Sequence, residues 1–247
     1  MSNHKIVYIA ALSAAVSAAH GANIHVSPTG TGTGSQTAPY GSIQSAVNAA
    51  VSGDTIYLLA GTYSPTTNIQ ITKSGTATSP ITLRSYGSDK VIIDGEALPG
   101  LINGPYGVYA RDASHIHYEL LSTHDNYETG FQLQGALANN TVVYLDSYRN
   151  RDPRKNGESA DGFACKEGSG EGNAPRSARL WDNVGDGLDL YMFGSAVAVD
   201  EVYAWGNGVK LGITGNPPAD HVVTNSMAFA NAKKGFIDNG KSGVAGL

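Results

Sequence analysis

The sequence predicts an all-β fold, a right-handed single-stranded parallel β-helix with a short N-terminal capping helix. Its composition and two repeated patterns support this fold. Of the 247 residues, 31 are glycine and only 15% are charged, which suits short strands and tight turns better than a helical bundle. From Gly107 onward, two short patterns recur at similar spacings, which is typical of a solenoid made of stacked coils.

The first pattern is a glycine followed by an apolar residue, a variable residue and usually a second apolar residue. Successive glycines are 23, 32, 25, 21 and 27 residues apart. They are Gly107, Gly130, Gly162, Gly187, Gly208 and Gly235. Because this interval is the length of one solenoid coil, we expect equivalent residues to stack about 4.8 Å apart on neighbouring coils.

The second pattern ends in an asparagine, with a flat ring two residues before it. Successive asparagines are 24, 33, 24 and 24 residues apart. The pairs are His124 with Asn126, Tyr148 with Asn150, Trp181 with Asn183, Trp205 with Asn207, and Phe229 with Asn231. We therefore expect a ladder of amide hydrogen bonds at one turn, a stacked column of rings, and two strand segments in each coil.

The N-terminal half fits the same architecture less regularly. Residues Ser42–Val51 place apolar side chains on one helical face, which predicts a short helix that covers the open end of the stack. The predicted strands and turn are Thr55–Leu59, Gly61 (turn), Asn68–Thr72, Ile81–Arg84 and Val91–Ile93. A β-sandwich is the alternative fold, but a sandwich would not require the two patterns to keep register.

The N-terminus predicts export from the cell. In residues 1–21 a short Lys-containing start precedes an apolar, alanine-rich run and then small residues, the order of a secretory signal peptide. Residues 22–247 would then form one extracellular β-helix domain, which we expect to be a monomer. Its single cysteine, Cys165, excludes a disulfide framework.

Two classes of partner are disfavoured by the sequence. The net charge of −5 argues against nucleic acid. No apolar run after the predicted signal peptide is long enough to span a bilayer.

The repeat register gathers charged residues from neighbouring coils on one outer face. Asp161 and Asp186 each precede a pattern glycine, and Asp189 lies three residues after Asp186. Three such carboxylates would repel one another unless they shared a cation, and hard oxygen ligands suit Ca²⁺ better than zinc. Lys210 lies one coil beyond Asp189 in the same column, and a nearby cation would lower its pKa, so it is a candidate base. The alternative is a surface ion pair of little energetic value.

At these residues the chain resembles the pectate lyases of polysaccharide lyase family nine. The matching segments are Ala160–Lys166, Ala178–Leu190, Tyr203–Gly212 and Asn225–Gly240. The resemblance implies a Ca²⁺-dependent lyase that cleaves polygalacturonate, an acidic plant cell-wall polysaccharide, by β-elimination. In this interpretation Asp161, Asp186 and Asp189 hold Ca²⁺, and Lys210 removes the C5 proton of the uronate.

Basic residues near the predicted cleft are candidates for binding uronate carboxylates, because arginine and lysine pair well with such groups. Those candidates are Arg149, Arg151, Lys166 and Arg176.

The chain also departs from the family pattern. The family has two adjacent aspartates where this chain has Gly185 and Asp186, so one calcium ligand is missing, and the longer loop before the lysine segment is absent. The chain ends at Leu247, soon after the sixth pattern, which suggests a truncated product.

Two other functions therefore stay open. One is a non-catalytic polysaccharide-binding β-helix protein derived from a lyase. The other is a glycoside hydrolase on the same fold, with Asp161 and Asp186 as its acid and base. That second function would leave Lys210 without a role.

Overall fold

The structure is a computed structural model that describes residues 21–96, 106–153, 155–212, 219–232 and 234–237. Residues 1–20 of the predicted signal peptide, and residues 238–247 near the predicted truncation, lie outside the described residues. The signal peptide and the domain boundary therefore stay predictions. Within the described ranges, no helix is both long and apolar enough to cross a membrane.

Three sheets form the walls of the described chain, and neighbouring strands in each sheet pair in parallel. The glycine sheet contains Ile69–Ile71, Val108–Arg111, Phe131–Ala136, Phe163–Ser169, Leu188–Asp189, Val209–Lys210 and Phe236–Ile237. The ring sheet contains Gly61–Tyr63, Val91–Asp94, Ser122–His124, Asp146–Tyr148, Arg179–Trp181, Tyr203–Trp205 and Met227–Phe229. Sheet one contains Asn23–Val26, Thr55–Leu58, Ile81–Ser85, Ile116–Glu119, Thr141–Val143, Ala174–Arg176, Ala198–Asp200 and Val222–Thr224.

Strands that are neighbours in one sheet come from successive coils, so the fold is the predicted parallel β-helix. Each glycine of the first pattern immediately precedes a strand of the glycine sheet, and each ring of the second pattern ends a strand of the ring sheet. The expectation of two strands per coil was wrong, because sheet one supplies a third. Its strands carry neither a glycine of the first pattern nor a ring of the second, so neither repeated pattern marked them.

The N-terminal helix spans Ile43–Ala49, shorter than the predicted Ser42–Val51. Ser42 is its N-cap and accepts a hydrogen bond from the backbone N–H of Ser45 at 3.3 Å. Ala50 already has extended backbone angles, which ends the helix there. The buried face of the helix packs against the first strands, as expected of a cap over the end of the stack.

The predicted N-terminal strands are present, with ends shifted by about one residue. Two strands were not predicted, Asn23–Val26 and Gly61–Tyr63. Gly61 begins a strand instead of making a turn, and its φ of +139° is a conformation that glycine tolerates.

Four of the five asparagines of the second pattern form the predicted amide ladder, and Asn231 does not join it. Asn126 Nδ2 donates to Asn150 Oδ1 at 2.8 Å, and Asn150 Nδ2 donates to Asn183 Oδ1 at 2.8 Å. Asn183 Nδ2 continues the ladder to Asn207 Oδ1 at 3.3 Å. The same Asn150 Oδ1 also accepts the backbone N–H of Asn126 at 3.2 Å. The ladder thus satisfies side-chain and backbone groups that are buried at this corner.

The glycines of the first pattern lie against this ladder. A Cβ atom at Gly130 would lie 2.1 Å from Ser147 Oγ and 2.6 Å from Asn150 Nδ2. At Gly187 it would lie 2.3 Å from Asn207 Nδ2. The two repeated patterns therefore mark the two sides of one tightly packed corner, which leaves no room for a side chain on the glycine side.

The rings of the second pattern form a continuous stack on the outer face of the ring sheet. From His124 through Tyr148, Trp181 and Trp205 to Phe229, successive centroids are 4.8, 4.2, 5.0 and 5.6 Å apart. The interplanar angles do not exceed 29°. Because the faces of neighbouring rings cover one another, the column stabilises the stack of coils and offers a sugar ring few free faces.

Replacing Asn150 by alanine is expected to lower the free energy of unfolding by about 3 kcal/mol. The substitution leaves the amide and backbone N–H of Asn126 and the amide oxygen of Asn183 without their present partners. Chemical denaturation measures the change. Asn48→Ala, at an exposed helical position, is the matched control and should change stability by less than about 0.5 kcal/mol. Equal losses for the two variants would contradict a structural role for the ladder.

Candidate active site

The three aspartates selected from the sequence lie together at the glycine sheet. Asp161, Asp186 and Asp189 each present a carboxylate oxygen, and these oxygens lie within 4.8 Å of one another. Asp161 and Asp186 directly precede Gly162 and Gly187, the glycines that come just before two strands of the glycine sheet, and Asp189 ends the strand Leu188–Asp189. The coil register thus places residues from two coils in one cluster, which we call the acidic centre.

Hydrogen bonds hold the carboxylates of the acidic centre in place. Asp161 is fully buried, and its Oδ1 accepts the backbone N–H of Asp186 at 2.9 Å. Its Oδ2 accepts from Thr129 Oγ1 at 3.3 Å. Asp189 is also buried, and its Oδ1 accepts the backbone N–H of Tyr191 at 2.9 Å. One oxygen of each buried carboxylate is therefore oriented by the backbone.

Two lysines face the remaining oxygens. Lys210 is in strand register with Asp189, and its Nζ lies 3.3 Å from Asp189 Oδ2 and 3.6 Å from Asp186 Oδ2. Lys166 Nζ lies 2.9 Å from Asp161 Oδ2 and 3.5 Å from Asp189 Oδ2. Three carboxylates against two ammonium groups leave a formal charge of −1, so the centre retains an attraction for a further cation.

Burial and neighbouring charges shift the ionisation of these groups. The pKa of Asp186 is raised to about 6, first by burial and then by the charges of Asp161 and Asp189. Burial and the charge of Asp161 also raise the pKa of Asp189. For Lys210, burial lowers the pKa, but the carboxylates, led by Asp189, outweigh burial and raise it overall. The lowered Lys210 pKa expected from the sequence assumed a bound cation, and the carboxylates alone act in the opposite direction.

The donor set fits a hard divalent cation. Several carboxylate oxygens converge from two coils, and no softer ligand belongs to the cluster. Gly185 carries no fourth carboxylate, and the packing explains why. A Cβ atom there would lie 2.7 Å from Asp161 Oδ1 and 3.0 Å from the carbonyl of Ala160. An aspartate at this position would therefore require Asp161 to move.

A second group of possible ligands lies on the ring sheet, formed by Asp94, His124 and Asp125. One of its two carboxylates, that of Asp125, is already paired, because Arg149 donates to it at 2.7 and 3.3 Å. His124 Nδ1 lies 2.7 Å from the same carboxylate. The acidic centre is the better candidate for a metal ion.

A groove of about 740 Å³ extends from the acidic centre along the glycine sheet towards the N-terminal coils. One outward column runs through it in register, from Gln70 through Tyr109, Gln132 and Ala164 to Asp189 and Lys210. Tyr106 stacks on Tyr109 with their centroids 4.7 Å apart. Asp189 and Lys210 were predicted from their position two residues after a pattern glycine. Gln132 and Tyr109 occupy the same position in their own coils. Tyr106 and Glu128, by contrast, lie outside the strands and have no register that would have pointed to them.

The four residues predicted to bind uronate carboxylates are not brought together. Lys166 lines the groove, whereas Arg149, Arg151 and Arg176 do not. Arg149 pairs with Asp125 at the corner beyond the ring sheet.

Arg151 pairs with Glu96, and Arg176 ends a strand of sheet one in register with Asp200. The register predicted the coil of each arginine but not the side of the coil on which its side chain lies. The substrate role of these three arginines stays a prediction that the geometry of the groove does not support.

The fold and the site define a class of protein, a parallel β-helix with an open groove that passes over an acidic centre and two lysines. A family model described as the Pel9A-like right-handed β-helix region matches residues 24–247. The chain therefore belongs to this family. The predicted right-handed parallel β-helix and the resemblance to family-nine pectate lyases are both confirmed.

Known relatives agree with this assignment. A pectate lyase of Emericella nidulans, PEL9, is 50% identical over 98% of this chain and 75% of its own length. Pectate lyase L of Dickeya chrysanthemi is 32% identical over 82% of this chain and 57% of its own length. The crystal structure of pectate lyase Pel9A superposes with a TM-score of 0.71 and 29% identity, over 90% of this chain and 66% of that chain. This chain thus spans between about half and three quarters of these relatives.

Proposed function

We propose that this protein is a secreted pectate lyase that cleaves polygalacturonate by Ca²⁺-assisted β-elimination, acting as a monomer. The observation that carries the proposal is the meeting of three carboxylates with Lys210 in one groove, at 3.3 and 3.6 Å from two of them. The pectate lyases among its relatives support the same reaction.

In this mechanism Asp161, Asp186 and Asp189 would hold the calcium ion. When bound, Ca²⁺ would withdraw charge from the uronate carboxylate and so acidify the C5 proton. Lys166, on the opposite side of Asp189 from Lys210, would pair with a uronate carboxylate.

Lys210 would act as the general base. Its neutral amine would take the C5 proton, and the electron pair left at C5 would form a double bond to C4. The glycosidic oxygen on C4 would leave with its bonding pair and take a proton from water. The products would be a new sugar end and a 4,5-unsaturated uronate. The Tyr191 ring, 5.0 Å from Lys210 Nζ, and the Asp189 carboxylate hold the amine in the groove.

The test is the ultraviolet absorbance of unsaturated uronates, with purified protein and polygalacturonate at alkaline pH. We expect a rise with added Ca²⁺ that stops when a chelator is added. New reducing ends without the absorbance would instead indicate a glycoside hydrolase. Binding of oligogalacturonate in a calorimeter with no product, by protein shown to be folded, would indicate a non-catalytic binding protein.

Activity is expected to rise with pH from about 6 into the alkaline range. Below about pH 6 the Asp186 carboxyl is protonated, because its pKa is raised to about 6, and a protonated carboxyl is a poor cation ligand. The neutral form of Lys210 also increases with pH, and because its pKa is raised, this increase extends into the alkaline range. Initial rates across the pH range at a fixed Ca²⁺ concentration below saturation measure this, with circular dichroism as the folding control. An optimum below about pH 6 would contradict the proposed roles.

A further inference from the structure

A second groove, of about 720 Å³, follows the outer face of the ring sheet and the adjoining corner, on a different wall of the β-helix from the acidic centre. We call it the ring-sheet groove. It crosses five successive coils, those of the strands Val91–Asp94, Ser122–His124, Asp146–Tyr148, Arg179–Trp181 and Tyr203–Trp205. Because neighbouring strands lie about 4.8 Å apart, the groove extends about 19 Å along the stack, which is long enough for several sugar rings.

Two tyrosines line this groove without belonging to the column of stacked rings. Tyr144 is 53% exposed and Tyr203 is 38% exposed. Among the described residues, no ring stacks on either tyrosine, and neither hydroxyl makes a hydrogen bond. Tyr148 and Trp181 of the column also line the groove, but neighbouring rings cover their faces. Tyr144 and Tyr203 are therefore the aromatic surfaces that the groove offers to a ligand.

Neither burial nor backbone preference explains a tyrosine at position 144. Each of five coils turns this corner with one residue in the left-handed conformation, at φ values between 48° and 56°. These equivalent residues are Leu120, Tyr144, Ser177, Glu201 and Asn225. Asparagine tolerates the conformation, whereas a bulky side chain is strained in it. Tyr144 keeps more than half of its surface in water despite this strain, and a strained, exposed aromatic residue points to a role in binding.

The charged side chains that line the ring-sheet groove balance one another. They are Asp89, Lys90, Asp146 and Arg179. Arg179 donates to Asp146 through Nε at 2.7 Å and through Nη2 at 2.5 Å, so this pair is neutral and fixed in orientation. The opposite charges of Asp89 and Lys90 leave the lining with no net charge.

One more carboxylate lies just outside the lining. Glu201 Oε2 accepts a hydrogen bond from Ser177 Oγ of the groove at 2.6 Å. A polyuronate, which carries a carboxylate on every ring, would find no excess of positive charge along this groove. The balance of charge therefore favours an uncharged ligand.

We propose that the ring-sheet groove binds an extended polysaccharide chain of uncharged, β-1,4-linked sugars. The CH faces of the pyranose rings would pack on Tyr144 and Tyr203, and their hydroxyl groups would bond to the phenol hydroxyls and to the Arg179–Asp146 pair. Chains with this linkage are straight, which suits a groove that runs along the stack. This binding site is separate from the proposed active site and does not depend on the lyase function.

The experiment is calorimetric titration of the protein with neutral hexasaccharides, with a chelator present so that no cleavage occurs. The probes are cellohexaose, mannohexaose and xylohexaose, and hexagalacturonate is the charged comparison. We expect at least one neutral hexasaccharide to bind. Excess hexagalacturonate should leave its dissociation constant unchanged, because the two sugars would occupy different walls of the β-helix.

Tyr144→Asn tests the site without endangering the fold, since Asn225 already occupies the equivalent corner. The variant should raise the dissociation constant of the neutral hexasaccharide about tenfold, while its denaturation midpoint stays unchanged or rises. Tyr203→Thr, which keeps a residue favoured in strands, should have a similar effect on binding. Met192→Asn is the matched control, because Met192 has a φ of +54°, is 52% exposed and lies outside both grooves.

Several results would each overturn the inference. They are no binding of any neutral hexasaccharide to folded wild-type protein, and equal losses from Tyr144→Asn and Met192→Asn. Weaker binding of hexagalacturonate by Tyr144→Asn would mean that the groove binds charged sugars instead. A dimer in sedimentation that Tyr144→Asn dissociates would assign the groove to a second copy of the chain. Bound neutral sugar with no unsaturated product from polygalacturonate and Ca²⁺ would refute the lyase function alone and support this site.

Discussion

Replacing Lys210 by alanine is expected to lower kcat for pectate cleavage by about 10²- to 10⁴-fold, the range for loss of a general base. Its Nζ lies over the acidic centre, 3.3 Å from Asp189 and 3.6 Å from Asp186, where the C5 proton of a bound uronate would be presented. The loss should appear in kcat more than in KM, because the proton transfer occurs only in the transition state. Single-turnover rates of unsaturated product measure it.

The Lys210→Arg variant distinguishes a role of Lys210 as the general base from a role as a positive charge alone. Arginine keeps the positive charge beside Asp189 but does not lose its proton in proteins, so it cannot act as the base. We expect this variant to be as inactive as the alanine variant while binding Ca²⁺ with nearly wild-type affinity. Lys234→Ala, at an exposed position near the next coil, should keep full activity. Substantial activity in Lys210→Arg would show that the residue supplies charge only.

Replacing Asp189 by asparagine is expected to weaken Ca²⁺ binding by on the order of 100-fold, because affinity follows the number of charged ligands. Asparagine keeps the shape and retains an oxygen that can accept the Tyr191 N–H, which now bonds to Asp189 at 2.9 Å. It removes the charge that faces both Lys166 and Lys210. Calorimetric titration with Ca²⁺ measures the affinity, and excess Ca²⁺ should restore part of the lyase activity.

Asp182→Asn provides the matched control for this loss of charge. Asp182 is exposed, lies outside the acidic centre and has a φ of +52°, a conformation that asparagine tolerates. Its Ca²⁺ affinity should equal that of the wild type. An unchanged dissociation constant in Asp189→Asn would mean that the calcium ion binds elsewhere, and the group of Asp94, His124 and Asp125 would be tested next.

The carboxylates of the acidic centre are paired with two lysines, and this affects the predictions for both Lys210 and Asp189. A buried carboxylate without a partner is unfavourable, and here Lys166 and Lys210 supply those partners at 2.9 to 3.6 Å. Either lysine therefore influences cation affinity through charge as well as any direct role. The arginine variant at position 210 is needed because alanine changes both properties at once.

The candidate site could be predicted where it depends on coil register. Asp189 and Lys210 occupy the same position after their glycines, and they pair directly in the glycine sheet. The arginines show the limit of that reasoning. Arg149 follows the ring strand Asp146–Tyr148 with a φ of +52°, and its side chain bonds to Asp125 of the preceding coil. A spacing rule describes equivalent positions, but it does not give the direction of a long side chain that leaves a corner.

The sequence by itself determined the stacking of this protein. The glycines and asparagines recur because one corner of every coil is too crowded for a side chain on one side and needs an amide on the other, as at Gly130 and Asn150. Because the same packing requirement recurs in each coil, it produces a periodic pattern of residues in the sequence.

Three features became known only from the tertiary structure. They are sheet one, a second asparagine ladder beside it, and the set of residues that line the groove. Asn140 and Asn173 form a ladder step of 3.0 Å beside sheet one. Among the residues that the structure describes, only these two asparagines share it, which is too few to show a period. Gln132 and Glu167 face the same groove because their strands are neighbours in the glycine sheet, with a register shift after Gln134. Such contacts depend on packing between coils, and each is made once, so no repeat in the sequence records them.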